Sequence, residues 1–268
     1  MADSRSGVDV MDWALGGLFF VLGLIFGSFL NVCIYRIPRK ESLLWPSSHC
    51  PTCNTRIRPL DNIPLISYVF LRGRCRACGA KISPRYPAVE LLTGLLFLGL
   101  YLRFGVQKEV LAFLILTSLL VVISFVDIEH RLILNVFTIP GLVAGILIAG
   151  FVLRIGWLNA LLGALLGGGL LIGIALFGEL LFGKESMGMG DVKMAAMIGA
   201  FLGMKGVIVS VFLGFVIAAI FSLAGMALNR LQRSSYLPFG PFIAAGTLVY
   251  LFAGEALIQW YLQAVGLR

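Results

Sequence analysis

Charged residues are scarce in this 268-residue chain. Asp, Glu, Lys and Arg together make up 13% of it, which is about half of their share in soluble globular domains. Hydrophobic residues make up 59%, and the mean hydropathy is +0.98. A chain with so few charges cannot cover a soluble surface, and in lipid its backbone must bond internally. The sequence therefore predicts an all-α, polytopic membrane protein.

The N-terminus lacks the features of a secretory signal peptide. Residues 1–12 carry three aspartates and one arginine, whereas a signal peptide begins with a positive region and ends at a cleavage site of small residues. We therefore expect the first apolar segment to remain in the mature protein, preceded by a short extracytoplasmic N-terminus at 1–12. Low-complexity tracts and convincing internal repeats are also lacking.

Acidic residues are outnumbered by basic ones, and the formal net charge is +8. Lys and Arg mark the cytoplasmic loops of membrane proteins, so this excess does not indicate a nucleic-acid partner. Ten of the 21 Lys and Arg residues lie between Arg36 and Arg85. The sequence therefore predicts that this segment is cytoplasmic and that the N-terminus lies outside.

Apolar segments of membrane-spanning character occur along the rest of the chain, and we count eight. The sixth is short and leaves seven as the alternative count. The predicted segments are 13–35, 87–102, 110–126, 132–153, 157–182, 194–202, 207–228 and 239–265.

Two aspartates lie where apolar segments end. Asp127 ends the third segment, and Asp191 follows the fifth in the stretch Gly188-Met189-Gly190-Asp191-Val192-Lys193. An ionisable group at membrane depth costs about 2.5–3.5 kcal/mol on insertion scales, which makes it a functional candidate. The charge bias of the loops places both acids at the cytoplasmic edge. Two close carboxylates share a proton, so that one can act as general base and the other as general acid on a peptide bond.

The neighbours of Asp191 suggest supporting roles. Gly188 and Gly190 are expected to permit unusual backbone conformations and the close approach of another chain. Lys193 either extends to the interface or holds a carboxylate in place. An alternative is a membrane scaffold or transporter in which the two aspartates bind an ion or a proton, with Glu255 extending the path.

Four of the five cysteines form two Cys-x-x-Cys pairs in the predicted loop domain at 36–86. The pairs are Cys50 with Cys53 and Cys75 with Cys78. Disulfides do not persist in the cytoplasm, so this spacing favours a zinc-ribbon-like structural site of four thiolates. A redox dithiol pair is the alternative. A loop this short cannot build a large core, so the metal would supply much of its folding energy.

Glu90 and several glycines are further candidates. Glu90 is expected in the first turn of the second apolar segment, where it either favours the helix N-terminus or belongs to a second polar site. Gly27-Ser28 and Gly167-Gly168-Gly169 predict close packing between helices.

Taken together, these motifs resemble the bacterial type IV prepilin peptidase family. Presenilin-like intramembrane proteases share the Gly-x-Gly-Asp motif but lack the cysteine loop. The family often has a Pro-Asn or Pro-Asp pair after its first aspartate; here Ile133-Leu134-Asn135 lacks the proline, which leaves the start of the fourth helix open. The resemblance rests on the two cysteine pairs, Phe26-Gly27-Ser28-Phe29-Leu30-Asn31-Val32, Asn62-Ile63-Pro64-Leu65-Ile66-Ser67, Arg85-Tyr86-Pro87, Glu90-Leu91-Leu92-Thr93, Asp127-Ile128-Glu129 and Gly188-x-Gly190-Asp191-Val192-Lys193.

The resemblance implies an aspartic endopeptidase of the bacterial inner membrane, formed by residues 87–268, with Asp127 and Asp191 as its catalytic pair. Its substrates would be prepilins or pseudopilins of type IV pilus or type II secretion systems, cleaved after a Gly at the cytoplasmic face. The resemblance also implies N-methylation of the new N-terminal residue by S-adenosylmethionine, with Glu90 and Gly94 near that site. A peptidase-only member is the alternative.

Overall fold

The computed structural model describes residues 10–183, 187–230, 232 and 237–266. Regular structure in these residues is helical, which confirms the predicted all-α class. A short 3-10 helix (Pro59–Asn62) precedes the second α-helix. The α-helices are α1 (Val10–Arg36), α2 (Ile66–Phe70), α3 (Arg85–Phe104), α4 (Lys108–His130), α5 (Asn135–Phe151), α6 (Gly156–Phe182), α7 (Met189–Ala227) and α8 (Gly240–Ala264).

Six helices within the described residues are long and apolar enough to cross a membrane, namely α1, α3, α4, α6, α7 and α8. Helix α5 is apolar but has 17 residues, which at 1.5 Å per residue is about 26 Å. That length is a few ångströms short of the hydrocarbon core of a typical bilayer, about 30 Å. The prediction of a multi-pass membrane protein is confirmed.

Helix α7 is broken at Gly203, whose φ of 71° and ψ of −176° are accessible to glycine at little cost. Directly after the break, the backbone N–H of Met204 donates to Oδ1 of Asn159 at 3.1 Å. In lipid, a broken helix is tolerated where a side chain from a neighbouring helix satisfies a backbone group at the break. The predicted segments 194–202 and 207–228 are therefore the two halves of α7. The first half begins earlier than expected, at Met189, and so includes Asp191.

The chain divides into two compact units, Met1–Val106 and Gln107–Arg268. In the first unit, α1 packs closely on α3 through small residues. A Cβ atom added at Gly23 would lie 2.7 Å from Cα of Gly94, and one added at Gly27 would lie 2.7 Å from Cα of Glu90. Helix α3 thus belongs to the same unit as α1 and the cysteine loop, although the sequence grouped residues 87–268 together.

In the second unit, α7 lies against α4, α5, α6 and α8. Its closest approach is to α6, where Gly199 faces the backbone of Gly163, and Gly167 faces the carbonyl oxygen of Ala195. Small residues let helices approach this closely in lipid. The predicted packing role of the triple glycine holds for Gly167, while Gly169 faces open space.

Candidate active site and cysteine cluster

Asp127 and Asp191 come together within the second unit. Asp127 lies in the last turn of α4, and Asp191 lies in the first turn of α7. Their side chains are buried, with 6% and 8% of each residue exposed, and they are near enough for the charge of Asp127 to act on the carboxyl group of Asp191 through space. Because one helix ends where the other begins, both carboxyl groups occupy one end of this helical unit, as a carboxylate pair requires.

The carboxyl group of Asp191 projects from a turn that its own backbone closes. The N–H of Asp191 donates to the carbonyl oxygen of Gly188 at 3.1 Å. Its Oδ1 atom is buried, and no group in the described part of the chain hydrogen-bonds to it. Buried polar atoms are nearly always bonded to protein or water. Oδ1 of Asp191 is therefore available to bond with a water molecule or with a substrate group.

The carboxyl group of Asp127 is held by α8. Its Oδ2 atom accepts a hydrogen bond of 3.0 Å from the backbone N–H of Gly240, the first residue of α8. The N-terminus of a helix favours a carboxylate through its exposed amides and its dipole. A Cβ atom at Gly240 would lie 2.8 Å from that oxygen, so the position has no room for a side chain. Sequence reasoning did not identify Gly240; the available signal was a glycine flanked by Pro241 at the start of an apolar segment.

Of the two glycines beside Asp191, Gly190 acts through packing, whereas a Cβ atom at Gly188 would make only ordinary contacts, the nearest at 3.6 Å from Oδ2 of Asp191. Neither Gly188 nor Gly190 has a positive φ, so the expected unusual backbone conformation is not what requires glycine there. A Cβ atom at Gly190 would lie 2.7 Å from Cβ of Ile133, and one at Gly240 would lie 3.3 Å from Cδ1 of Ile133. Ile133 therefore packs between the start of α7 and the start of α8, directly beside the two acids.

Lys193 makes a contact that neither expected role describes. Its Nζ donates a hydrogen bond of 2.9 Å to Oδ1 of Asn135. Asn135 is the first residue of α5, so the start of that helix, left open by the missing proline, is set at Asn135. The contact links the first residue of α5 to the start of the second turn of α7 and thereby supports the preceding turn, which carries Asp191.

The acid invoked for an ion path lies far from the pair. Glu255 is exposed and follows Gly240 by fifteen residues along α8, a separation of about 22 Å along the helix axis. The transporter alternative therefore gains no support from this residue.

The four paired cysteines form a cluster in the first unit. The sulfur atoms of Cys50, Cys53, Cys75 and Cys78 all lie within 4.8 Å of one another, and those of Cys50 and Cys78 are 3.9 Å apart. Four sulfurs in a tetrahedron about 2.3 Å from a zinc ion would be about 3.8 Å apart. The cluster can therefore hold one metal ion with little rearrangement.

The two cysteine pairs lie in matching turns. In each turn the first cysteine donates its N–H to a carbonyl five residues on, at 3.0 Å and 2.8 Å, and accepts an N–H from the residue four positions on, at 2.8 Å and 2.9 Å. That residue, Asn54 or Gly79, has a φ of 55° or 72°, which suits Asn and Gly. The N–H groups of Cys53 and Thr52 lower the pKa of the Cys50 thiol to about 6. The first turn thus favours the thiolate, the form that binds metal, whereas in the second turn the pKa of the Cys78 thiol is raised to about 11.

A cavity of about 380 Å³ lies in the first unit between the cysteine loop and helices α1 and α3. Its lining includes Asn31, Tyr35, Tyr86 and Glu90. Glu90 lies in the second turn of α3, not the first, so the role at the helix N-terminus does not apply. Its carboxylate accepts the N–H of Leu65 at 2.8 Å and bonds with the side chain of Ser28. The second interpretation, a further polar site, is the one this geometry favours.

Gly94, which the resemblance places near the methyltransferase site, is a packing residue. A Cβ atom there would lie 2.8 Å from Cδ2 of Leu24 and 3.0 Å from the ring of Phe20, both on α1. A larger residue at this position would separate α1 from α3, which form one side of the cavity.

Comparison with known proteins agrees with this two-part architecture. Residues 21–104 match the model of the bacterial peptidase A24 N-terminal domain, and residues 114–223 match that of the type IV leader peptidase family. No solved structure matches the chain.

Curated relatives cover nearly the whole chain. The prepilin leader peptidase/N-methyltransferase of Aeromonas salmonicida is 35% identical over 95% of this chain and 96% of its own length. The protein of the same name from Bacillus subtilis is 35% identical over 92% of this chain and 97% of its own length, and that from Pseudomonas aeruginosa is 34% identical over 92% and 93%. These matches confirm the resemblance seen in the motifs, and the chain belongs to the type IV leader peptidase family.

Proposed function

We propose that this chain removes the leader peptide from prepilins or pseudopilins and then methylates the new N-terminal residue. The observation that carries the peptidase is the buried, interacting pair Asp127 and Asp191 in a member of the leader peptidase family. Its clients belong to a type IV pilus or a type II secretion system, and the bond cleaved follows a Gly.

In the proposed mechanism one of the two carboxyl groups keeps its proton, because burial and the charge of the other acid disfavour ionisation of both. The ionised group accepts a proton from a water molecule, and the protonated group donates a hydrogen bond to the scissile carbonyl oxygen. Gly240 holds one oxygen of Asp127, while Oδ1 of Asp191 has no partner within the described chain. The pair titrates as a unit, so we assign the two roles to the pair and not to one residue each.

The location of the pair suits this substrate. The charge bias of the loops orients the cysteine loop toward the cytoplasm of an inner-membrane protein. Helices α3 and α4 then cross out and back, so the end of α4 that carries Asp127 lies on the cytoplasmic side. A prepilin inserts its apolar helix in the membrane and leaves its leader in the cytoplasm. The scissile bond therefore reaches the membrane surface at the level of the pair.

Co-expression with a prepilin tests the peptidase. Asp127→Asn and Asp191→Asn should each abolish leader removal, because neither variant can form the shared-proton state. The matched control is Glu179→Gln, which changes an exposed acid on α6 of the same unit and should leave processing intact. Normal processing by either Asp variant, at unchanged abundance in the membrane, would rule out the proposed pair.

We further propose that the cysteine cluster holds one structural zinc ion. The four sulfurs match the spacing of a tetrahedral thiolate site, and bound zinc would join the two turns in a loop too small for a core of its own. In the redox alternative, each cysteine pair would form and break its own disulfide. Here the sulfur atoms of both pairs lie together in one cluster, within 4.8 Å of one another.

For methyl transfer we propose the cavity beside α1 and α3, with S-adenosylmethionine as the methyl donor. Its volume is within the range of small-molecule sites, and Glu90 and Asn31 place polar atoms on a wall that also carries Tyr35 and Tyr86. Glu90 would keep this wall in place by holding Leu65 and Ser28.

A pre-cleaved pilin separates the two activities. With labelled S-adenosylmethionine, methylation should persist in Asp191→Asn and fall in Glu90→Ala, while Glu90→Ala should still cleave the leader. Absence of methylation in the unaltered protein would identify a peptidase-only member. Methylation that Glu90→Ala leaves unchanged would place the methyl donor elsewhere.

A further inference from the structure

The segment between the two cysteine turns exposes large apolar side chains. These are Leu60, Ile63, Ile66, Val69 and Phe70, and Phe70 is 83% exposed. Leu60 lies on the 3-10 helix, Ile66, Val69 and Phe70 lie on α2, and Ile63 lies in the extended link between the two helices. The 3-10 helix and α2, which carry most of them, contact each other. Exposed apolar groups at this density usually mark an interaction surface.

The depth of this segment is set by its contact with a membrane helix. Leu65 donates its N–H to the carboxylate of Glu90 at 2.8 Å. Glu90 follows Arg85, where α3 begins, by about 7.5 Å along the helix axis. Helix α3 is long and apolar enough to span the membrane. The exposed apolar side chains therefore flank the second turn of a spanning helix, where the protein meets the lipid headgroups.

The charges around the segment match an anionic surface. Arg58 precedes it, and Arg72 and Arg74 follow it; all three are exposed. The one acid in the sequence from 58 to 74 is Asp61, and its carboxylate is bound by the Arg76 guanidinium at 2.6–3.2 Å. An apolar side flanked by arginines is typical of helices that lie in the plane of a membrane interface.

We propose that residues 60–70 form a membrane-surface anchor, whose five apolar side chains insert at the boundary between the headgroups and acyl chains of an anionic bilayer. The anchor joins the cysteine loop to the bilayer at a third point besides α1 and α3. It thereby fixes the cavity of the first unit at the membrane surface. This proposal does not depend on either catalytic activity.

A single tryptophan measures the insertion directly. The four native tryptophans, Trp13, Trp45, Trp157 and Trp260, are all more than half exposed, so replacement by Phe should preserve the fold. In this background, Phe70→Trp reports on the anchor. The matched control is Arg56→Trp, an exposed position beside the first cysteine turn. Full-length protein is placed in nanodiscs of phosphatidylcholine and phosphatidylglycerol with bromine atoms on the upper acyl chain.

The anchor predicts that brominated lipid removes most of the fluorescence of the Phe70→Trp variant and leaves that of the Arg56→Trp variant unchanged. The proposal is overturned if the Phe70→Trp variant emits equally in brominated and unbrominated discs, as the Arg56→Trp control should. Emission of the Phe70→Trp variant that brominated lipid leaves unchanged but that shifts when a purified pilin is added would instead assign the surface to a protein partner. Val69→Trp serves as a second reporter, and the metal content of each variant confirms that the loop is folded.

Discussion

Replacement of Gly240 by Ala tests whether a backbone amide positions the catalytic pair. The new Cβ would lie 2.8 Å from Oδ2 of Asp127, whereas carbon and oxygen atoms in favourable contact are about 3.3–3.6 Å apart. Ile133 lies 3.3 Å away on another side and limits escape in that direction. The carboxylate must therefore move by about half an ångström or more, and its hydrogen bond with the N–H of Gly240 lengthens or breaks.

The size of the effect follows from that hydrogen bond. A hydrogen bond to a charged group contributes about 1.5–3 kcal/mol. If the bond matters in the transition state, its loss lowers the rate of cleavage about 10- to 150-fold, since 1.36 kcal/mol is tenfold in rate. We expect the loss in kcat, with little change in KM, because the substrate chain is bound elsewhere along the site.

The assay is leader removal from a purified prepilin in proteoliposomes at equal enzyme content. Gly169→Ala is the matched control, because a Cβ atom at Gly169 meets nothing within 4 Å and Ala favours the helix. The reasoning is refuted if Gly240→Ala cleaves at the unaltered rate. If the lower rate of Gly240→Ala is fully explained by a smaller fraction of folded enzyme at the assay temperature, the effect is one of folding. That result would also refute a role for Gly240 in positioning the pair.

Three further outcomes are expected. Lys193→Met should slow cleavage about 2- to 10-fold, as the loss of a hydrogen bond of about 0.5–1.5 kcal/mol allows, and adding Asn135→Ala should slow it little further, measured as a double-mutant cycle. Gly199→Leu should sharply reduce folded protein in the membrane, because its side chain would occupy the backbone position of Gly163, whereas Gly173→Leu faces open space and should not. Cys50→Ser with Cys53→Ser should remove the zinc, about one ion per chain, and expose the loop to protease; a metal-free loop with native protease resistance would contradict the structural role.

The parts of the site that depend on local spacing were predictable from the sequence. Each Cys-x-x-Cys pair lies in a turn closed by its own backbone, so its spacing determines where the sulfurs point. The two aspartates were paired by a different argument. Loop charges gave the membrane side of each helix end, and two acids on the same side had to occupy similar depths. The positions of Asp127 at the end of α4 and Asp191 at the start of α7, with Ile133 packed beside both, agree with that expectation.

The parts that depend on backbone groups from distant helices were not predictable. Gly240 contributes an N–H that every residue except proline carries, so no side-chain pattern reveals it. Lys193 bonds to a neutral amide on α5, and the sequence offered only charged partners or water for a lysine. The grouping of α3 with α1 depends on how closely Gly23 and Gly27 let the two helices approach. The sequence pattern shows which face of a helix carries small residues, but it does not identify the helix that packs against that face.

The break at Gly203 separates two mechanical tasks within α7. The half that carries Asp191, from Met189 to Leu202, is about 21 Å long at 1.5 Å per residue and so cannot cross the bilayer by itself. The longer half must adjust its tilt when the hydrocarbon thickness changes. Because the helical bonds are interrupted between them and Asn159 secures the junction, tilting of the longer half need not rotate Asp191 away from Asp127. Cleavage should therefore vary little across bilayers of different acyl-chain length, and a strong dependence on thickness would show that the two halves move as one rod.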